Sequence, residues 1–126
     1  MTRRSVLIVD DDDDNLLVLA AALELDFDVR TARSCREARA ALEAATFDAL
    51  VTDFSLGDGN ALDLVASLGD RRPSVSVLVT GYGSAEDQAR SHAAGFHAHL
   101  VKPITIPELE RTLHCALAPS AVAVPL

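Results

Sequence analysis

Short apolar runs alternate with helical patterns along this chain of 126 residues. The apolar runs cover residues 6–9, 27–31, 49–51, 75–79 and 98–101. The first, third and fourth runs are almost wholly apolar or β-branched, which predicts inner strands of a parallel sheet with both faces covered. Polar and apolar side chains alternate through residues 27–31, and this pattern indicates an edge strand.

Helix start signals lie between these runs. Ser34, Ser84 and Thr105 are each followed three residues later by an acid, which is the pattern of a capping box. The resulting order, βαβαβαβαβα, predicts a single α/β domain with an open parallel sheet and helices on both faces. The helix predicted over residues 84–94 has mostly Ala at its apolar positions, so we expect it to be the least firmly packed.

The composition and charge of the chain exclude several classes of function. Half of the chain is apolar (49%), which is typical of a folded domain. The net charge of −8 argues against direct nucleic-acid binding, which needs a basic face. The apolar runs are too short for a membrane span or a signal peptide, so we expect a cytoplasmic protein. Residues 1–118 are predicted to form the domain, and residues 119–126 a flexible tail.

Polar side chains that could take part in catalysis or binding follow four of the five predicted strands. The first strand runs into Asp10 and Asp11, the third ends at Asp53, the fourth at Thr80 and the fifth at Lys102. Ligands of open α/β sheets bind outside the carboxyl ends of the strands. We therefore expect these residues to meet at one edge of the sheet.

The acids fall into two groups. Asp13 and Asp14 fit a helix N-terminus, where negative charge is favourable. Asp10 and Asp11 come directly off an apolar strand, and crowded carboxylates repel one another unless a cation lies among them. Mg²⁺ prefers octahedral oxygen ligands, and Asp11 with Asp53 would supply a suitable pair of carboxylates.

Asp53 has two interpretations. A strand-end acid commonly caps the next turn. Alternatively, its carboxylate is a nucleophile that forms an acyl phosphate. Lys102, the single lysine of the chain, would keep it ionised and pair with a phosphoryl oxygen, and Thr80 would supply a hydroxyl.

The chain resembles the receiver domain of bacterial response regulators and hybrid histidine kinases (CheY-like) over about residues 4–118. The matching segments are VLIVDDDDDN, FDALVTDFSLGDG, VLVTGYG and AAGFHAHLVKP, in this order. The resemblance implies a flavodoxin-like (βα)5 domain with strand order 2-1-3-4-5. It also implies two-component signalling, in which the domain accepts a phosphoryl group and later loses it, while any histidine kinase activity lies outside this chain.

The resemblance assigns a role to each matching residue. Asp53 would be phosphorylated, and Mg²⁺ (or Mn²⁺) would bind Asp10, Asp11, Asp53 and the backbone carbonyl of Ser55. Lys102 would contact the phosphate, and its bond to Pro103 is usually cis in the family. Thr80 would be the switch hydroxyl.

Three positions depart from the family pattern. His99 stands where the family usually has Tyr or Phe, the aromatic residue that changes rotamer on phosphorylation. Gly57 replaces the usual Pro of the loop after Asp53, and Ala61 replaces a usual Gly. We expect His99 to transmit the switch differently and the loop to be altered.

The resemblance also implies partners. The phosphoryl donor would be a sensor histidine kinase or a histidine phosphotransfer domain. A downstream protein target would bind the face built from helix 84–94, the fifth strand and the last helix. The domain would be a monomer or a weak, phosphorylation-dependent dimer.

Other functions remain open at this point. A haloacid dehalogenase-type phosphatase would use Asp10 and Asp12, although it needs a longer chain. A binding module that has lost phosphorylation is a further alternative. His97 and His99 could share a face and bind a transition metal, but no third ligand is evident and unrelated surface histidines are the simpler interpretation.

Overall fold

The computed structural model describes residues 3–118. Within this range, five parallel strands form one sheet in the order β2-β1-β3-β4-β5. They are β1 (Ser5–Val9), β2 (Asp28–Ala32), β3 (Ala49–Asp53), β4 (Val75–Thr80) and β5 (Ala98–Val101). The helices are α1 (Asp13–Leu23), α2 (Cys35–Ala44), α3 (Ala61–Ala66), α4 (Ala85–Ala93) and α5 (Ile106–Leu117).

This architecture is the doubly wound flavodoxin-like α/β fold, so the predicted fold class and strand order are confirmed. The predicted tail, residues 119–126, lies outside the described residues. In the described part of the chain, no helix combines the length and the apolar character that crossing a bilayer requires.

Two apolar layers hold the helices to the two faces of the sheet. On one face, Leu16 and Leu23 of α1 pack with Leu109 and Leu113 of α5. On the other face, buried side chains of α2 and α3 pack against Leu7, Leu50 and Leu78 of the sheet. Because β1, β3 and β4 are covered on both faces, their sequences are almost continuously apolar, as the pattern predicted.

The strand boundaries differ slightly from the prediction. β2 begins at Asp28 instead of residue 27, because the Phe27 ring is buried in the α1–α5 layer. By contrast, β3 and β4 end at Asp53 and Thr80, as the sequence predicted. Both polar residues therefore remain part of the hydrogen-bonded sheet, which fixes their backbone positions.

The three predicted helix caps are present, but they are not equivalent. Ser34, Ser84 and Thr105 each accept a hydrogen bond from the backbone N–H three residues on. Both hydrogen bonds of a capping box form at Ser84, because the Asp87 carboxylate also accepts from the backbone N–H of Ser84. Glu37 accepts from the N–H of Arg33 rather than returning to Ser34, so the box predicted there is incomplete.

Helix α4 is weakly anchored, as its alanine-rich sequence predicted. Among its residues, only Ser91 is buried. Polar contacts hold its two ends. The Ser84 capping box holds the N-terminus, and at the C-terminus the Arg72 guanidinium donates to the carbonyl of Ala94 at 2.7 Å.

Candidate functional site

The carboxyl ends of the strands bring the predicted residues together. Asp10 follows β1 directly, and its N–H donates to the carbonyl of Ala32 at the end of β2. Lys102 follows β5, and its N–H donates to the carbonyl of Thr80 at the end of β4. Sheet hydrogen bonding therefore continues beyond the strands and aligns these residues at one edge.

Three carboxylates form a cluster at this edge. Asp10, Asp11 and Asp53 each offer an oxygen, and these oxygens all lie within 4.8 Å of one another. Asp10 is buried, Asp53 is half-buried and Asp11 is exposed. Hard oxygen donors at this spacing, open to solvent on one side, fit a divalent cation that keeps some of its water.

Burial destabilises the ionised form of Asp10. The residue is 5% exposed, and its Oδ1 accepts from the N–H of Asp12 at 3.0 Å. Burial raises the pKa of the Asp10 carboxyl above its ordinary value of 3.8, and the nearby charge of Asp53 raises it further. The hydrogen bond from Asp12 and the positive charge of Lys102 oppose this change. A bound cation would favour the charged form in the same way.

Asp53 presents its two oxygens to different partners. Oδ1 accepts from the N–H of Phe54 at 2.8 Å, and Oδ2 lies 3.1 Å from the ammonium of Lys102. The side chains of Asp53 and Lys102 are 16% and 36% exposed, so this ion pair is only partly screened by water. The Lys102–Pro103 peptide bond is cis.

A pocket of about 530 Å³ opens onto this edge. Asp10, Asp53 and Lys102 line its polar side. Apolar side chains of the strands, of α1 (Val18 among them) and of the segment that leads from β5 to Ile106 at the start of α5 line the rest. The Asp53 carboxylate is therefore accessible to a group that enters from solvent.

Sequence reasoning missed one residue of the site. The Asn15 amide lies 3.4 Å from Oδ2 of Asp10 and lines the same pocket. Asn15 stands five residues after Asp10, at the start of α1, where a side chain can turn back toward the strand end. That spacing is the signal that could have identified it.

Asp12 has a structural role. Its carboxylate accepts from the N–H groups of Asp14 and Asn15 and caps α1. Asp12 is therefore occupied at the helix start and does not belong to the acidic cluster. The phosphatase alternative, which needs Asp10 and Asp12 as a catalytic pair, loses its second carboxylate.

Thr80 is buried at the end of β4, and its Oγ1 accepts from the N–H of Tyr82 at 3.2 Å. It lines a second cavity, beneath α4, with Phe54 and His99. Ser55 forms an isolated antiparallel bridge with Asn60, which closes the loop after Asp53. The roles of Thr80 as a switch and of the Ser55 carbonyl as a ligand stay predictions.

The two histidines have different partners. Nδ1 of His97 accepts from the backbone N–H of Ser76 at 3.1 Å, whereas Nδ1 of His99 lies 2.8 Å from Oγ of Ser91. Within residues 3–118, the acidic cluster is the one group of three or more potential ligands close enough to hold a metal. The histidines therefore do not form a metal site of that kind.

The loop after Asp53 accommodates both departures from the family pattern. Gly57 has φ of +82°, a conformation that Pro cannot adopt, so this loop turns differently from one with Pro at the same position. Ala61 is fully buried at the start of α3 and packs in the core. Asp58 then accepts from the N–H groups of Cys35 and Arg36 and ties the loop to α2.

Comparison with known proteins decides the family. The family model described as response regulator receiver domain matches residues 6–114. This chain belongs to the response regulator receiver domain family. Receiver domains act in phosphorylation-based two-component signalling, so the general function predicted from the sequence is confirmed.

Relatives and solved structures agree with this assignment. The receiver domain is 36% identical to the response regulator protein PilR of Pseudomonas aeruginosa, over 93% of this chain and 27% of that protein. It is 38% identical to the photosynthetic apparatus regulatory protein RegA of Cereibacter sphaeroides, over 87% of this chain and 61% of that protein. The chain therefore spans less than two thirds of either relative.

The structural match extends over nearly the whole domain. A CheY-like response regulator receiver domain protein from Methanospirillum hungatei superposes with a TM-score of 0.85 at 30% identity, covering 92% of this chain and 94% of that one. The chemotaxis protein CheY4 of Vibrio cholerae superposes with the same TM-score, 0.85, at 25% identity, covering 91% and 99%. The receiver domain thus accounts for the described fold from β1 to α5.

Proposed function

We propose that Asp53 is the phosphoacceptor of this receiver domain. An oxygen of its carboxylate attacks the phosphorus of a phosphohistidine while the P–N bond to the donor imidazole breaks. The electron pair of that bond returns to the imidazole nitrogen, and the product is an acyl phosphate on Asp53. Water later attacks the phosphorus, the O–P bond to Asp53 breaks, and inorganic phosphate leaves while the carboxylate is restored.

The arrangement of Asp53 between Lys102 and the acidic cluster carries this proposal. The Lys102 ammonium lies 3.1 Å from the Asp53 carboxylate and is close enough to neutralise an incoming phosphoryl oxygen. Phosphoryl transfer requires mainly positioning and charge neutralisation, which fixed groups of this kind provide.

Asp10, Asp11 and Asp53, together with the Ser55 carbonyl, would hold Mg²⁺, or Mn²⁺ in its place. When bound, the ion supplies positive charge against the phosphoryl oxygens. The spacing of the three carboxylates, all within 4.8 Å, supports an ion of this size and charge. The protein's part is to hold these oxygens in place, with Asp10 oriented by the N–H of Asp12.

Phosphorylation would switch partner binding through the face of α4, β5 and α5. The donor would be a sensor histidine kinase or a histidine phosphotransfer domain, and the responder would be a downstream protein. Such a switch requires that the phosphorylated form favour one conformation over another. The weak anchoring of α4 supports this location, because little apolar area holds the helix in one place.

Acetyl phosphate provides a direct test. The chain is incubated with acetyl phosphate and Mg²⁺, and phosphorylation is read as an increase in intact mass by one phosphoryl group. Asp53→Asn should abolish the increase. Asp14→Asn, which changes a neighbouring acid outside the cluster, is the matched control and should retain it. Normal phosphorylation of the Asp53→Asn variant would refute the assignment.

A further inference from the structure

The one buried side chain of α4 is hydrogen-bonded to the residue that replaces the family's aromatic switch. Oγ of Ser91 lies 2.8 Å from Nδ1 of His99 and 3.0 Å from the carbonyl oxygen of Gln88. Ser91 is 2% exposed, so water competes little for these bonds. The middle of α4 is therefore attached to β5 through a polar contact in place of apolar packing.

The second ring nitrogen of His99 is also engaged. Nε2 lies 2.7 Å from the carbonyl oxygen of Tyr82, in the loop between β4 and α4. Because a carbonyl only accepts, Nε2 carries the hydrogen in this contact. In the neutral ring Nδ1 then accepts the single hydroxyl hydrogen of Ser91, which in that arrangement is not donated to the Gln88 carbonyl. With both nitrogens bonded, the orientation of the imidazole is fixed.

The backbone of Tyr82 is also bonded to Thr80, the residue whose hydroxyl is the predicted switch. Its N–H donates to Oγ1 of Thr80 at 3.2 Å. The contacts therefore form a continuous series that leads from Thr80 through the backbone of Tyr82 to His99 and on to Ser91. A Phe at position 99 could make neither of the two side-chain bonds in this series.

We propose that this series, which we name the Thr80–Ser91 relay, transmits the state of Asp53 to α4. The event that starts the relay, phosphorylation of Asp53, rests on the proposed function. When the Thr80 hydroxyl turns toward a phosphoryl group, the N–H of Tyr82 loses its acceptor. The Tyr82 carbonyl then shifts, and His99 carries the shift to Ser91 and the helix.

The cavity beneath α4 gives this movement space. It has a volume of about 230 Å³ and is lined by Phe54, Leu62 and Leu78 as well as by members of the relay. Close-packed interiors resist such displacements, whereas an open volume beside a lightly anchored helix permits them. The relay thus replaces the rotation of an aromatic ring by the exchange of hydrogen bonds.

A double-mutant cycle in the unphosphorylated chain tests the connection itself. Thr80→Val and Ser91→Ala each remove one hydroxyl at an end of the relay, and amide hydrogen exchange in α4 is the readout. Separated, independent changes combine within a factor of about two in an equilibrium constant. We expect the double variant to deviate from the product of the single effects by more than this factor.

Ser84→Ala is the matched control for the cycle, because it weakens the same helix without touching the relay. Thr80→Val combined with Ser84→Ala should give the product of the single effects. Multiplicative behaviour of Thr80→Val with Ser91→Ala would overturn the relay. Equal deviations in both cycles would also overturn it, because they would indicate a general softening of α4.

A second experiment tests the response to activation. Beryllofluoride with Mg²⁺ is added to the ¹⁵N-labelled chain, and amide shifts are followed at the strand edge (residues 53–55 and 81) and in α4. We expect Ser91→Ala and His99→Ala to reduce the α4 shifts by more than about half, with the edge shifts retained. Ser67→Ala changes the serine that follows α3 and donates to the carbonyl of Leu64, and it should change neither set.

The two hypotheses fail in different ways in this experiment. Full α4 shifts in both relay variants would overturn the relay and leave the phosphoacceptor assignment intact. An unmodified chain that shows no edge shifts would overturn the assignment of Asp53, and with it the trigger of the relay.

Discussion

The ammonium of Lys102 lies 3.1 Å from Oδ2 of Asp53, although the two residues are 49 positions apart in the chain. The contact exists because β3 and β5 flank β4, so that their carboxyl ends lie at the same edge of the sheet. It gives the carboxylate a positive neighbour before any phosphoryl group arrives. Much of the chemistry proposed above depends on this pair.

Removing the ammonium should slow phosphorylation. We expect Lys102→Ala to reduce the rate of phosphorylation by acetyl phosphate by about 100-fold, the usual cost of losing one preorganised charge-stabilising donor. Lys102→Arg should recover only part of the rate, because a planar guanidinium does not place its charge at one point. The rate is measured from intact mass against time.

Arg90→Ala is the control for charge alone, since Arg90 is an exposed cation that pairs with Glu86 on α4. It should leave the rate within about twofold of the unmodified chain, because exposed pairs contribute little. A rate for Lys102→Ala equal to that of Arg90→Ala would show that the Lys102 contact has no role in transfer.

Asp10 should make stability depend on pH in metal-free buffer. Burial raises the pKa of its carboxyl in the folded chain, so the protonated form is favoured by folding. This contribution is fully present below the ordinary value of 3.8 and is lost as the pH rises through the folded pKa. Ionised Asp10 therefore destabilises the fold at neutral pH.

Asp10→Asn should accordingly raise the free energy of unfolding at neutral pH, since the amide can still accept from Asp12. The gain should shrink as the pH falls toward 3.8. Urea denaturation across this range measures it. A gain that is independent of pH would contradict the explanation from burial.

Asp11 should matter for metal affinity. Its carboxylate is the exposed member of the cluster. We expect Asp11→Asn to weaken Mn²⁺ binding by at least about tenfold, a loss that even outer partners of metal sites produce. Paramagnetic broadening of amide signals near the cluster measures the affinity. Asp14→Asn should alter it little, and equal losses in the two variants would point to general attraction of cations by the acidic segment.

Helix α4 should open locally when its cap is removed. Oγ of Ser84 accepts from the N–H of Asp87 at 3.0 Å, and Asp87 returns a bond at 3.2 Å. Ser84→Ala should cost about 1 kcal/mol. Because α4 has little buried anchorage, amide exchange there should increase about fivefold without a comparable change elsewhere.

Ser34→Ala provides the comparison on α2, which buries four side chains. There we expect the cost to appear in global stability, because α2 does not open by itself. Exchange that accelerates throughout the chain in Ser84→Ala would show that α4 unfolds only with the rest of the domain.

The sequence predicts the fold and the neighbourhood of the site well because both depend on periodicity and on strand ends. Asp53, Thr80 and Lys102 each mark the end of an apolar run, and topology alone brings them together. The contact between Asp58 and the start of α2 was not predictable, since it joins residues 22 and 23 positions apart through a loop whose path depends on Gly57.

The relay could not be predicted for a related reason. One of its links is the backbone of Tyr82, whose N–H and carbonyl carry no signature in the sequence. Position 99 was recognisable as a departure from the family, but its partners depend on how closely α4 approaches β5. Asn15 lay within a motif that the sequence identified, and its spacing from Asp10 was a usable signal. The contact itself depends on the geometry of the α1 N-terminus.

The acids of the cluster come from two separate segments, since Asp10 and Asp11 follow β1 while Asp53 ends β3. A chain cut between α2 and β3 would divide them, and neither fragment alone would hold all three carboxylates. Metal capture would return only when the two pieces reassociate correctly. At the proposed metal site, capture of a divalent ion would thus report that the two fragments have associated.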